Sequence, residues 1–157
     1  MLRSPVRQRV GVLAAALWWG SLTALGFVVV PLLFTHLATP AAAGAMAAKL
    51  FSAQTWLSAG CAMLVLMAFN QPGAGASAPA PWVRSLLKWV VAGLLLALLV
   101  EFGVAPRIVS ARAEGGNLRL WHGLGTAMYF VQWLCAGFAL WRLTALSGLQ
   151  PSESSAG

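Results

Sequence analysis

Residues 86–104 read LLKWVVAGLLLALLVEFGV, an apolar run broken by Lys88 near its start and Glu101 near its end. About 20 such residues, at ~1.5 Å rise each, cross the ~30 Å hydrocarbon layer of a bilayer as a helix. A membrane strand needs only about 10 residues and alternates in polarity, which this run does not. Three further runs of the same character occupy residues 10–34, 41–69 and 120–145. The fold class they predict is all-α: a polytopic membrane protein built as a four-transmembrane-helix bundle over residues 10–145. A short N-terminal tail, 1–9, precedes it, and a small, polar, disordered tail, 146–157, follows.

Composition agrees. The chain is 60% hydrophobic and 8% charged, with a mean hydropathy of +0.80. Soluble chains carry about a quarter charged residues, so there is too little charge here for a water-facing surface or a separate soluble domain. The net charge of +7 does not point to nucleic acid, because the basic residues sit at helix ends. Arg3, Arg7 and Arg9 precede the first span, Arg84 and Lys88 open the third, and Arg142 closes the fourth. Opposite them are Arg107, Arg112 and Arg119 in the last connection. The excess on the first side places both termini of this multi-pass protein in the cytoplasm by the positive-inside rule.

The basic start and first apolar run could pass for a signal peptide, with Ala41–Ala43 as a cleavage region. The run is about twice the usual h-region length and reads as a retained span. Pro31 lies in the last turns of the first helix, and Thr35 to Pro40 is a very short connection. Asn70 to Pro81 reads as a flexible loop, with Trp82 and Trp89 at headgroup depth after it. Pro106 is expected to end the third helix, leaving Ser110 to Asn117 as a second loop. Gly20 with Ala24, Ala43 with Ala47, and Gly44 with Ala48 are spaced as helix-contact faces. Cys61 and Cys135 fall deep in spans and read as packing residues. No internal repeat stands out.

The informative residues are polar groups at lipid depth, because a charge there costs about 3 kcal/mol on insertion scales and usually faces protein or water. Lys49 lies inside the second run and Glu101 inside the third. His36, Arg107, Arg119 and His122 belong to the same end of the bundle, so the polar set gathers in one leaflet, the outer one under the orientation above. Along the fourth helix His122, Thr126, Tyr129 and Trp133 recur on one face, with Gln132 beside it, and Gln54 and Ser58 are placed to meet it from the second. A ligand or ion pocket of Lys49, Glu101, His122, Arg119, Tyr129 and Gln132 is the expectation.

Plainer roles compete. Lys49 and Glu101 can neutralise one another as a packing pair, and Lys49 can reach the headgroups unaided. His36 and His122 can ligate a metal or haem iron, or hydrogen-bond carbonyls at helix ends. Tyr129 and Gln132 can serve as interhelical hydrogen-bonding glue. With no Asp in the chain, the usual triad and Mg²⁺ designs are missing, and no phosphate loop or clustered Cys/His spacing suggests nucleotide or structural zinc chemistry.

Pro31-Leu32-Leu33-Phe34, Ala43-Gly44, Lys49-Leu50-Phe51 and Trp121-His122-Gly123-Leu124-Gly125 together resemble the transmembrane protein 205-like family, over roughly Trp18 to Leu143. The resemblance implies a four-helix membrane bundle of no agreed activity and puts His122 and Lys49 first for testing. The chain departs from that pattern at Ala38, where a Pro is usual after Leu37, at Lys49, where Arg is frequent, and at Gly125, where Ser is frequent. Lys49 keeps the charge without the bidentate geometry of Arg. A looser similarity, to the protoporphyrinogen oxidase and copper-resistance membrane families, implies His36 and His122 as ligands, with Lys49 or Arg119 pairing an anionic group.

The leading expectation is thus a non-enzymatic integral membrane protein whose polar outer pocket binds a small ligand or ion, or organises a membrane-protein partner or a homo-oligomer. The alternative is a haem- or transition-metal-dependent membrane oxidoreductase using His36 and His122. A structural assembly factor, with polar residues fixing helix register, is the third.

Overall fold

Each apolar run becomes one long helix. In the computed structural model, which describes residues 5–69 and 81–147, α1 spans Val6–His36, α2 Pro40–Phe69, α3 Pro81–Glu114 and α4 Leu118–Ala145. All four are long and apolar enough to cross a membrane, and no strand occurs among the described residues. The protein is a helical bundle. The expected loop over 70–80 and most of the expected C-terminal tail lie outside the described residues. At the other end, Arg7 is already helical, and its guanidinium donates to the Met67 carbonyl at 2.6 Å, tying the start of α1 to the end of α2.

The helices are joined in pairs by short turns at one end of the bundle, here the turn end. Thr39 starts α2 as its cap, its Oγ1 accepting from the Ala42 amide at 3.2 Å. Asn117 starts α4 in the same way, its Oδ1 accepting from the Leu120 amide at 3.0 Å. Such caps satisfy amides that the first helical turn leaves orphaned. Gly115 stops α3 in the left-handed region, with φ of 75°, and the Gly116 amide reaches back to the Ala111 carbonyl at 2.9 Å. A side chain is strained in that conformation, hence a glycine.

Pro106 does not end α3. The helix runs on to Glu114, because the turn before the proline widens into a π-helical turn, Val100–Val104, with the Ala105 amide bonded to the Val100 carbonyl. The wider turn makes room for a ring that would otherwise clash with the carbonyl four residues back. The loop expected from Ser110 therefore shrinks to residues 115–117. In α1 the same device, Leu25–Val29, precedes Pro31.

Neighbouring helices pack in the ring order α1, α2, α3, α4 and back to α1. The core runs through Trp18, Leu22, Val65, Leu86, Val90 and Leu143, all but fully buried. Ala43 and Ala47 are buried as a contact face, whereas Gly20 and Ala24 lie on the outside of the bundle. Cys61 and Cys135 are buried and unbridged.

The two hairpins repeat one another. One constant interval relates Leu25 to Val100, Val29 to Val104 and Pro31 to Pro106, and also the buried Ala15 to Val90, Trp18 to Gly93 and Leu22 to Ala97. A slightly longer interval relates the caps Thr39 and Asn117, then Gln54 to Gln132, Ser58 to Ala136, Cys61 to Ala139 and Val65 to Leu143, each buried in both hairpins. Hairpins of the same direction in one ring are related by a pseudo-two-fold axis along the bundle, a parallel repeat in membrane terms.

Candidate functional site

An apolar bundle tolerates a buried amide or hydroxyl only if it is hydrogen-bonded. Here such groups gather in one layer. Gln54, 7% exposed, donates through Nε2 to Ser21 Oγ at 2.9 Å and to Ser58 Oγ at 3.3 Å. Gln132, 3% exposed, donates to the same Ser58 Oγ at 3.1 Å. Three helices are thereby joined, α4 to α2 through the Ser58 hydroxyl and α2 to α1 through the Gln54 amide, with the two glutamines in equivalent places of the repeat. Towards the turn end, the Tyr129 hydroxyl donates to the Leu22 carbonyl at 2.8 Å, and its ring meets Phe51 edge-on at 5.2 Å. Trp133 Nε1 donates to Thr23 Oγ1 at 2.9 Å, and Thr23 donates to the Trp19 carbonyl at 2.8 Å.

Nearer the turn end stands a charge. Glu101, in the π turn of α3, is part-buried, and its Oε1 accepts a 2.6 Å hydrogen bond from Ser52 Oγ on α2. Lys49 lies one turn along α2 from Ser52, is exposed, and makes no ion pair or hydrogen bond with Glu101. The packing pair anticipated between Lys49 and Glu101 is thus replaced by a hydroxyl–carboxylate contact.

The structure divides the expected pocket. Tyr129 and Gln132 face inward, bound to α1 and α2. Glu101 is held on the other side of the ring by Ser52. Arg119 and His122 are exposed on the first turns of α4. The stripe on α4 splits likewise: Tyr129 and Trp133 turn towards α1, while Thr126 is exposed and bonds its own helix at the His122 carbonyl, 2.9 Å away. His36 is exposed and folds back on its own helix end, with Nδ1 at 2.8 Å from Thr35 Oγ1 and 3.1 Å from the Leu32 carbonyl. Among the described residues no group of three or more His, Cys, Asp or Glu is placed to hold a metal. Arg107 lies over the Trp121 ring, 5.3 Å from its centroid, and Arg112 lies over Gly44, where a Cβ would come within 3.3 Å of the guanidinium.

Sequence reading missed Ser52 and the pair Ser21 and Thr23. Serine and threonine hide in apolar runs because they also bond their own helix, and only the facing residue shows which of them ties helices together. The π turns left a trace in Pro31 and Pro106.

Chemically, the Gln54–Ser58–Gln132 layer is neutral and self-satisfied. The Glu101–Ser52 contact supplies an acceptor-rich oxygen pair with an ionisable member. No match was found among curated proteins or solved structures. A family described as a domain of unknown function, DUF4149, matches residues 13–117, which takes in most of α1 and the whole of α2 and of α3 with its Glu101 turn. The chain belongs to this family.

Proposed function

We propose that this protein binds a small ligand or ion at Glu101 and Ser52, in the outer half of the bacterial inner membrane, with both termini in the cytoplasm. The observation that carries the reading is the placement of Glu101. A carboxylate inside a membrane span costs about 3 kcal/mol on insertion scales. Here it sits between two helices, on a π-helical turn, opposite a single hydroxyl. π turns within helices are frequent at functional sites. Packing alone does not call for an acid there, since the equivalent turn in α1 does without one.

The orientation rests on the excess of Arg and Lys on the side of the termini. Resemblance to the transmembrane protein 205-like family, through Pro31–Phe34, Lys49–Phe51 and Trp121–Gly125, supports the same membrane reading and supplies no reaction. His36, tied to its own helix end, and His122, exposed, add no support to the oxidoreductase alternative.

Native mass spectrometry of the full chain released from nanodiscs tests the seat. A bound small mass on the wild-type protein that is lost in Glu101→Gln is the expected result. The same masses on both proteins would overturn it.

A further inference from the structure

The pseudo-two-fold axis offers a comparison that neither hairpin gives alone. It superimposes the two π turns, and with them Gly26 on Glu101. At Gly26 the protein fills its own turn: a Cβ there would lie 2.8 Å from the Tyr129 ring, whose hydroxyl already bonds the Leu22 carbonyl. At Glu101 the facing helix presents Phe51 at the position of Tyr129, with no hydroxyl to give, and Ser52 beside it. One of two equivalent turns is thus closed by a phenol. The other carries a carboxylate.

The atoms available at that second turn are all oxygens. They are the Glu101 carboxylate, Ser52 Oγ, and a backbone carbonyl of the π turn, the Val100 carbonyl being taken by the Ala105 amide. Pro106 has no N–H, so a carbonyl of the preceding turn, at Glu101 or Phe102, receives no amide from it. Carboxylate, hydroxyl and carbonyl oxygens suit hard cations, and transition metals prefer nitrogen and sulfur donors. Interrupted membrane helices use freed carbonyls in this way to coordinate cations. Charge balance selects the valence. One carboxylate neutralises one positive charge, and Lys49 on the same side of the bundle disfavours a second.

We infer that the Glu101 turn of α3, with Ser52 of α2, is a binding site for a monovalent alkali cation. The inference rests on the ligand seat proposed above and names its occupant. On binding, the Ser52 hydroxyl turns its proton away from Oε1 and offers a lone pair, so that both groups face the ion.

The test uses the full chain in nanodiscs at fixed pH and ionic strength, in the chlorides of Li⁺, Na⁺, K⁺ or N-methyl-D-glucamine. Thermal unfolding is followed by tryptophan fluorescence. At least one alkali cation should raise the unfolding midpoint saturably, the shift should vanish in Glu101→Gln, and Ser52→Ala should raise the half-saturating concentration roughly tenfold. Identical midpoints in all four salts would overturn the inference, as would a shift that survives in Glu101→Gln. If Glu101→Gln does not fold, Ser52→Ala decides: an unchanged half-saturating concentration overturns it. A Glu101-dependent organic adduct in mass spectrometry without any cation effect would refute the cation and leave the seat standing.

Discussion

Trp18 and Gly93 hold equivalent places in the two hairpins and touch across the pseudo-two-fold axis, indole against bare backbone. A Cβ at position 93 would lie 2.8 Å from the Trp18 ring and 3.2 Å from Cys135 Cβ. The large residue of one hairpin is accommodated by the absent side chain of the other. Gly93→Ala should therefore destabilise the bundle by about 1–3 kcal/mol, the usual range for overpacking. Gly20→Ala, with nothing within 4 Å of the added carbon, should be neutral or stabilising through helix propensity. Unfolding of the two variants in mixed micelles separates them; equal stabilities would contradict the contact.

Ser58 is the shared acceptor of Gln54 and Gln132, so its removal strands the buried Gln132 amide and leaves Gln54 only its bond to Ser21. Interhelical hydrogen bonds in membranes are worth about 0.6 kcal/mol on average, and a stranded buried donor costs about 1–3 kcal/mol. Ser58→Ala should cost about 1–3 kcal/mol, more than Gln132→Leu, which removes one donor and leaves Gln54 its bonds to Ser21 and Ser58. A double-mutant cycle between positions 58 and 132 should show clear coupling. Strict additivity would mean the layer is not connected as described.

Tyr129→Phe deletes the bond to the Leu22 carbonyl and keeps the ring on Gly26, for a loss of about 0.5–1.5 kcal/mol. Gly26→Ala should cost more, since the ring must move. Reversal of that order, measured by thermal unfolding, would indicate that the hydroxyl rather than the fit of the ring holds α4 to α1.

Lys49 and Glu101 should behave as independent charges. The swap Lys49→Glu with Glu101→Lys should rescue nothing, and their coupling energy should be near zero. Ser52 and Glu101 should couple by about 1.5–3 kcal/mol, the range for hydrogen bonds to charged groups. Rescue by the swap would restore the packing pair that the sequence suggests.

Fusions of alkaline phosphatase and green fluorescent protein report the side of each segment. Fluorescence at both termini, and phosphatase activity only for insertions in the turns at 37–39 and 115–117, is the outcome expected of the basic excess beside the termini. Phosphatase activity at the C-terminus would invert the bundle and move the Glu101 seat to the cytoplasmic half.

Bundle class and helix count follow from run length alone, because a lipid-spanning helix must be about 20 residues long. Glu101, Tyr129 and Gln132 were legible as polar residues in apolar company. Ser58, the partner of Gln132, was placed to meet it, but the partners of Glu101 and Tyr129 were not legible, because Ser52 and Leu22 are unremarkable until the facing helix is known. The repeat escaped because it is written in burial rather than identity. Trp18 matches Gly93, and Ser58 matches Ala136, pairs that share a place in the core and nothing in chemistry. Its two halves also keep slightly different intervals along the chain, which blurs any search at a fixed period. Pro106 misled because a proline signals a stop only where the turn before it cannot widen.

The three-residue turns at 37–39 and 115–117 bear on how the protein is made. Neither leaves chain to spare between the two helices of its pair. Each hairpin should therefore enter the lipid as a unit, its two helices joined by a turn capped at Thr39 or Asn117. Biogenesis is then two successive insertions of the same kind. A chain cut within 70–80 and supplied to the cell as two polypeptides should assemble as well as the uncut one.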